Sequence, residues 1–405
     1  MNVVRAALPT EETQPITPSA AISIGESFRA AAFSFLLSRA LVFSLFLLCA
    51  QLHFVPTAGW ERQEASAVIR FDPTVAAQQL KQIWQSGDSH FYLQIATQGY
   101  DPSESSHTAM RNWVFFPLFP LSIRALSSIV GHPLFCAIAL ANFWLFATLI
   151  VLHRLALVRG LSSEAADRVV IAVALNPLSY LFSCPMTETT FFFLATSSAL
   201  ALERRRPIIA GCIAAFATAC RPTGLLLLPA FALGAYGSSR FHRHRLATTG
   251  VSLALASSGL VAYATFLWYR AGDPLIFIHN QHFWDRSGSF FTLLQGIDPR
   301  NISTGWNFVW LNAAAVFFGF SCAVRSIRRR RVYDALVYLV PTAALLSSGT
   351  VLSAYRVLMP LFPGWLMVGE LSRSKLVWDS ILVVFAALLG ILTVAYSLGV
   401  TSALV

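Results

Sequence analysis

Long apolar runs, separated by short polar segments, form the main pattern of this chain. A transmembrane helix needs about 20 consecutive apolar residues, and the shorter runs here have 14 to 17 residues, which predicts tilted spans. We therefore expect an all-α, polytopic transmembrane protein with about eleven spans. The eleven apolar runs are 29–51, 134–157, 168–184, 187–203, 207–220, 224–237, 247–269, 305–324, 333–349, 352–371 and 376–400.

The composition agrees with a membrane protein. Of the 405 residues, 56% are hydrophobic and 12% are charged, about half of the ~25% that is usual for soluble domains. This excludes a soluble enzyme, a disordered chain and a disulfide-stapled secreted domain. The six cysteines lie in or beside apolar runs without CxxC spacing, which favours buried thiols over a zinc site or a disulfide framework.

The basic residues predict the topology. The loops 153–168, 204–206, 240–246, 325–331 and 373–375 hold 16 basic residues in 36 positions, against 10 in the 129 positions of the other loops. Cytoplasmic loops carry the excess of Lys and Arg, so the first set is expected in the cytoplasm. The net charge of +10 is thereby explained by membrane topology, without a nucleic-acid partner.

This topology divides the chain into a tail and one membrane domain. Residues 1–28 are polar and are expected to form a disordered cytoplasmic tail, followed by a single domain over 29–400. Two large outer loops result, 52–133 and 270–304. Parity prevents the apolar stretch 113–130 from crossing, and its early prolines break a helix, so we expect a juxtamembrane helix there.

The first outer loop contains the densest group of polar and aromatic residues, from Trp84 to Tyr100. Apolar residues at 91, 92, 95 and 96 predict a helix, with Asp88 at its N-terminal end. Aspartate is favoured as a helix N-cap, and a carboxylate at this place could equally act as a general base. The residues alone leave both interpretations open.

Several motifs together resemble one family. The string D-S-H-F-Y-L-Q-I-A-T-Q-G-Y, from Asp88 to Tyr100, is followed by N-W-V-F-F-P-L-F-P-L. Further on come N-P-L-S-Y-L-F-S-C-P-M-T-E, A-C-R-P-T-G and Y-R-V-L-M-P-L-F-P. In this order the chain resembles the PIG-V-type mannosyltransferases of the GT-C superfamily, over about residues 30–370.

The resemblance implies a GT-C-like fold with its active site on the periplasmic or lumenal side, in the loop 52–133. Such enzymes transfer a sugar, here expected to be mannose, from a polyprenyl- or dolichyl-phosphate carrier to a glycolipid or glycan acceptor, with inversion. Asp88 would be the base that deprotonates the acceptor. The tandem DxD of many relatives is missing, which weakens the inference of a metal: a divalent metal is possible but unsupported, and no cofactor is certain.

Other polar residues of the outer segments are candidates for substrate binding. Arginine suits bidentate phosphate recognition, although an Arg near a membrane boundary is often a snorkelling anchor. A carboxylate at the membrane boundary suggests function, although Glu in a first helical turn is also favourable by itself. The expected substrate-binding residues are His90, Tyr92, Tyr100, Glu188, Arg221, Gln281, Trp284 and Arg356.

A secondary transporter or lipid flippase is the alternative class. Such proteins also use many helices and intramembrane charges, but they are commonly built from two related halves. No internal repeat is visible. The outer loop has 82 residues and the inner loops are minimal, and this asymmetry does not favour an alternating-access transporter. The Ala- and Arg-rich composition, with two lysines among 29 basic residues, favours a bacterial plasma membrane over the endoplasmic reticulum.

Overall fold

A computed structural model describes residues 24–51, 73–102, 111–239, 244–284, 309–348, 351 and 353–399. Every regular element among these residues is helical. The expectations for residues 1–23 of the tail and for 285–304 of the second outer loop lie outside the described residues. The same holds for 52–72 and 103–110 of the first outer loop.

The helices follow one another with short connections. The first eight are α1 (Ile24–Gln51), α2 (Pro73–Gln85), α3 (Ser89–Thr97), α4 (Leu118–Val130), α5 (Pro133–Val158), α6 (Ser163–Leu175), α7 (Glu188–Glu203) and α8 (Pro207–Cys220). The others are α9 (Pro222–Leu226), α10 (Leu228–Ser238), α11 (Arg245–Ala271), α12 (Ile276–His279), α13 (Val309–Arg328), α14 (Val332–Ser347), α15 (Ala354–Leu358), α16 (Phe362–Leu371) and α17 (Lys375–Ser397). Short 3-10 turns cover Asn112–Val114, Ser179–Ser183 and Asn280–Trp284.

Four of the described helices, α1, α5, α11 and α17, are long and apolar enough to cross a bilayer. The protein is therefore an integral membrane protein, as the hydrophobic pattern predicted. Helix α4 has 13 residues, about 20 Å at 1.5 Å per residue, which is too short for a hydrocarbon core of about 30 Å. It fits the expected juxtamembrane helix, while the count of eleven spans stays a prediction.

Three of the predicted spans are interrupted helices. The run 168–184 stops being α-helical at Leu175, the run 224–237 divides at Leu227, and the run 352–371 divides between Leu358 and Phe362. Pro177, Pro229 and Pro360 lie at or beside these breaks, where a proline cannot continue a helix. The expectation of one continuous helix per apolar run is corrected at these places.

The first helix begins earlier than the composition indicated. Helix α1 starts at Ile24, so residues 24–28 belong to the bundle and not to the tail. The fully buried Ser27 lies here, with its hydroxyl 3.0 Å from Nδ1 of His153 on α5. This contact joins the first turn of α1 to α5.

The arginine-bearing loops meet at one end of the bundle. Arg159 forms ion pairs of 2.7 Å with Glu203 and of 2.7 Å with Asp334, so the segments beside three of these loops are in contact. Glu370 pairs with Arg325 at 3.2 Å and also with Arg329 and Arg331. We call this the arginine-rich end, where the described contacts join the segments beside four of the five loops.

Helix α8 packs closely against α11. A Cβ on Gly211 would lie 2.5 Å from the Ser252 carbonyl oxygen, and one on Gly259 would overlap the Ala215 carbonyl oxygen. Glycine lets α8 and α11 approach until their backbones touch, as is common between membrane helices. The C-terminus of α8, where Arg221 follows, is thereby fixed against α11.

Candidate active site

Four charged side chains from distant segments meet at the end of the bundle opposite the arginine-rich end. Arg356 donates from Nη1 to Oδ2 of Asp88 over 2.6 Å and from Nε to Oε1 of Glu188 over 2.8 Å. Nη1 of Arg221 lies 2.9 Å from the same Glu188 oxygen. All four were predicted as site residues from sequence, and the fold brings them together.

Asp88 precedes α3 but does not cap it. Its backbone is helical, with φ −64° and ψ −15°, and its side chain makes no capping hydrogen bond. The carboxylate turns to Arg356 instead and keeps 20% of its side chain exposed. The sequence left open whether Asp88 is a helix N-cap or a general base, and this geometry does not agree with an N-cap.

Glu188 is the first residue of α7 and is completely buried. Two guanidinium groups hold one of its oxygens, and the residue is absent from the wall of the cavity described below. A substrate contact of Glu188 stays a prediction. Because a buried carboxylate needs compensating charges, its position between Arg221 and Arg356 suits it to orient these two side chains.

Neither Arg221 nor Arg356 is a snorkelling anchor. A snorkelling arginine keeps its charged head in water, whereas these side chains are 10% and 5% exposed and end in contact with carboxylates. Arg221 lies at the break between α8 and α9, and Arg356 lies on the five-residue α15. Interrupted helices thus carry both arginines into the interior.

A cavity of about 410 Å³ opens beside these groups, and we call it the site cavity. Its polar lining includes Asp88, Tyr92, Arg221, Gln281 and Arg356, and the remaining wall is largely apolar. Pockets that bind small molecules combine apolar walls with a few polar groups in this way. Burial raises the pKa of the Tyr92 hydroxyl, which lies 3.2 Å from Oγ1 of Thr187, so this group stays a neutral hydrogen-bonding partner.

The other expected substrate-binding residues have different places. Gln281 lines the site cavity and donates to the Phe277 carbonyl over 3.1 Å. His90 is exposed, with Nδ1 2.6 Å from the Gly87 carbonyl, and does not line the cavity. Tyr100 donates to the Phe115 carbonyl over 2.8 Å and is also absent from the lining. Its hydrogen bond joins two parts of the loop, and its contact with substrate stays a prediction. The side chain of Trp284 lies outside the described residues.

Sequence reasoning did not foresee how two residues support this region. Arg124 of α4, which the sequence offered as a weaker candidate for phosphate recognition, donates to the carbonyls of Ala96 and Ile95 over 2.7 and 2.9 Å and so caps the C-terminus of α3. The Tyr396 hydroxyl of α17 accepts a hydrogen bond from Ser86 over 2.6 Å, two residues before Asp88. Nothing in the local sequence around Tyr396 signalled this contact.

A third missed residue is Arg39, a buried arginine in the middle of α1. It is 3% exposed and donates to the Ser179 carbonyl over 3.0 Å and to the Ser183 hydroxyl over 2.8 Å. These acceptors belong to the segment that leads from α6 to Glu188. An arginine inside an apolar run suggests a special role, and this signal was available from the sequence.

A metal site requires several ligating side chains close to one another. Within the described ranges, no three His, Cys, Asp or Glu side chains lie close enough to hold a metal ion. Asp88 and Glu188 each face arginine instead, so positive charge reaches the site through guanidinium groups.

The fold and site define an integral membrane protein with a compact group of acids and arginines at a largely apolar cavity. The profile of the mannosyltransferase (PIG-V) family matches residues 32–238, about half of the chain. The chain belongs to this mannosyltransferase family, as its motifs indicated. Asp88, Glu188 and Arg221 lie within the matched residues, whereas Gln281 and Arg356 lie beyond them. Membership favours a glycosyltransferase over the transporter alternative.

Comparison with solved structures finds an oligosaccharyltransferase of Archaeoglobus fulgidus, tethered by a disulfide bond to an acceptor peptide that contains the NVT sequon. The two chains share 13% identity, with a TM-score of 0.44. The similarity covers 89% of this chain and 55% of the other, so this chain spans about half of that protein's length. No curated protein was found to match the chain.

Proposed function

We propose that the protein is a membrane mannosyltransferase that uses a polyprenyl- or dolichyl-phosphate-linked sugar and a glycolipid or glycan acceptor, with inversion at the anomeric carbon. The observation that carries the proposal is the contact between Asp88 and Arg356 at the wall of the site cavity. It combines, within 2.6 Å, a carboxylate that can take a proton and a cation that can bind phosphate.

Asp88 acts as the general base. One of its oxygens is held by Arg356, and the other accepts no hydrogen bond from the described residues, which leaves it available to an acceptor hydroxyl. Proton removal by a positioned carboxylate contributes about 10²–10⁴-fold to a rate. The hydroxyl oxygen then attacks the anomeric carbon from the face opposite the phosphate, which gives inversion.

Arg221 and Arg356 bind the carrier phosphate. Arg356 uses Nε and Nη1 for the two carboxylates, and its Nη2 donates to none of the described residues. Arg221 lines the cavity with its one ion pair directed to Glu188. As the bond between the anomeric carbon and the phosphate oxygen breaks, these donors stabilise the charge that develops on the leaving group.

The charges balance through the reaction. Asp88 and Glu188 carry two negative charges, and the two arginines carry two positive charges, so the empty site is neutral. The phosphodiester donor becomes a phosphate monoester and gains up to one negative charge at neutral pH. Asp88 loses one negative charge when it takes the acceptor proton, so the arginines face nearly the same total charge before and after transfer.

The cavity wall suits a lipid-linked donor. Apolar side chains such as Leu226, Leu345 and Val357 line it beside the charged groups and would accompany the first prenyl units. Gln281 and Tyr92 offer hydrogen bonds to sugar hydroxyls. The positive-inside rule supports a cytoplasmic arginine-rich end and therefore a site cavity on the periplasmic or lumenal side. The composition, with two lysines among 29 basic residues, favours a bacterial plasma membrane.

The test is transfer of labelled mannose from synthetic polyprenyl-phosphate-mannose by the purified protein in proteoliposomes that contain a lipid extract as acceptor source. We expect wild type to release polyprenyl phosphate and label an acceptor, and Asp88→Asn to lose at least about a hundredfold in rate. His90→Gln is the matched control, because His90 neighbours Asp88 but does not line the cavity. Turnover by Asp88→Asn at the wild-type rate would contradict the proposal.

A further inference from the structure

A second cavity lies at the arginine-rich end, away from Asp88 and its partners. Its volume is about 690 Å³, inside the range of about 300–1,000 Å³ of pockets that hold small molecules. Helix α10 and the turns that follow α7 and α13 form its walls. We call it the arginine cavity, and its charged lining consists of Arg159, Glu203, Arg205, Arg330, Arg331 and Asp334.

The charges in this cavity do not cancel. Four arginines face two carboxylates, and both carboxylates are engaged by Arg159, through contacts of 2.7 Å to Glu203 and 2.7 Å to Asp334. Arg331 is directed to Glu370, outside the cavity, over 3.5 Å. Arg205 and Arg330 therefore add positive charge that the cavity itself does not neutralise.

Arg205 and Arg330 share two properties. Both side chains are exposed at the cavity, and neither forms an ion pair or side-chain hydrogen bond within the described ranges 24–51, 73–102, 111–239, 244–284, 309–348 and 353–399. Both also have left-handed backbones, with φ 55° for Arg205 and 58° for Arg330. Two separate turns thus each place an exposed arginine at a left-handed backbone position.

These backbones belong to helix-ending turns that glycine would normally make. The amide of Arg206 donates to the Ala201 carbonyl over 2.9 Å, and that of Arg331 donates to the Ser326 carbonyl over 2.8 Å, which is the hydrogen-bond pattern of a Schellman motif. Glycine adopts the left-handed conformation freely, whereas a residue with a Cβ is strained there. A cation near a helix C-terminus is favourable and the cytoplasmic side carries excess Arg, but neither effect requires an arginine at the left-handed position itself, where both side chains reach the same cavity.

The edge of the cavity carries exposed apolar and aromatic side chains. Leu233 and Tyr236 of α10 line it and are 40% and 43% exposed, and tyrosine is enriched at membrane–water interfaces. Arginine is the side chain best suited to a phosphate, and basic pockets between membrane helices bind anionic headgroups. We propose that the arginine cavity binds the phosphate of an anionic phospholipid through Arg205 and Arg330.

The test measures binding to the full-length protein in neutral detergent and needs no transfer activity. The probes are dioctanoyl phosphatidylglycerol, dioctanoyl phosphatidylcholine and inorganic phosphate, each titrated and followed by native mass spectrometry and thermal shift. The test variant is Arg205→Gly with Arg330→Gly. Because glycine suits both turns, its Tm without lipid should equal or exceed that of wild type, so weaker binding would not report unfolding.

The matched control is Arg328→Ser with Arg373→Ser, which removes two exposed charges near the same end from residues that do not line the cavity. Wild type and control should bind phosphatidylglycerol at least tenfold more tightly than phosphatidylcholine, and the glycine variant should lose at least tenfold. Arginine-dependent binding of inorganic phosphate alone would support the phosphate site with a soluble source. Phosphatidylglycerol and phosphate binding within twofold of wild type in the glycine variant, or equal losses in the control, would overturn the proposal.

Discussion

Asp88 and Glu188 contact the same guanidinium group, yet neutralising each should have opposite consequences. Glu188 is fully buried and compensates two arginines, whereas Asp88 has one partner and a side chain that is 20% exposed. Glu188→Gln leaves a buried positive charge uncompensated, which typically costs about 3–5 kcal/mol. Asp88→Asn keeps an oxygen that accepts from Arg356, so the expected cost is about 1 kcal/mol or less.

The order of the two variants should reverse for activity: Asp88→Asn should lose more turnover than Glu188→Gln. Loss of the base in Asp88→Asn lowers kcat at least about a hundredfold, or about 2.7 kcal/mol in the barrier, with little change in the KM for the donor. Glu188→Gln keeps the base but releases Arg221 and Arg356 from their common anchor. We expect a raised KM for the donor and a smaller loss of kcat per folded molecule.

The assay combines a thermal scan of both purified variants with mannose transfer measured over a range of donor concentrations. The Tm of Glu188→Gln should fall by at least about 3 °C, and that of Asp88→Asn should stay within about 1–2 °C of wild type. Equal falls in Tm for both variants would refute the distinct roles. If Glu188→Gln lost kcat as severely as Asp88→Asn at saturating donor, Glu188 would be part of the proton transfer.

Three further outcomes are expected. Arg221→Lys keeps the charge but loses the planar fork, so donor binding or rate should fall by about 1–3 kcal/mol; unchanged donor kinetics would remove it from phosphate binding. Tyr396→Phe removes the hydroxyl that holds the segment before Asp88, so kcat should fall about three- to tenfold for a hydrogen bond of about 0.5–1.5 kcal/mol, with expression unchanged; wild-type kcat would make the contact dispensable. With the exposed Cys212 replaced by alanine, Gln98→Cys should react with an impermeant thiol reagent from outside and Ser374→Cys should not; the reverse labelling would invert the topology.

The membrane class and the order of the elements follow from the sequence because they depend on local properties. Hydrophobicity over about 20 residues decides whether a segment enters a bilayer, and the run 134–157 accordingly becomes α5 almost residue for residue. The helix after Asp88 follows from apolar residues at helical spacing. The motif around Asp88 also carried the family resemblance, which the match over residues 32–238 confirms.

The positions at which the apolar runs break depended on more than hydrophobicity. Hydropathy does not distinguish a continuous helix from two short ones, so the divisions at Leu227 and before Phe362 were missed although prolines stand beside them. The break before Phe362 follows the short helix that carries Arg356, whereas Arg221 lies at the earlier break between α8 and α9. Proline marks a probable interruption, but whether neighbouring helices satisfy the freed backbone groups is a tertiary property.

Only the tertiary structure decided which candidates share a site and which merely lie in the same loop. Sequence could nominate Asp88, Glu188 and Arg356 one by one, but it could not reveal that one guanidinium group joins the two carboxylates across 268 and 168 residues. Nor could it separate Gln281, which lines the cavity, from His90, which does not. The physical reason is that the pairing of buried charges depends on distances between helices that are far apart in the chain, whereas a hydrophobic pattern records only what each helix presents to its surroundings.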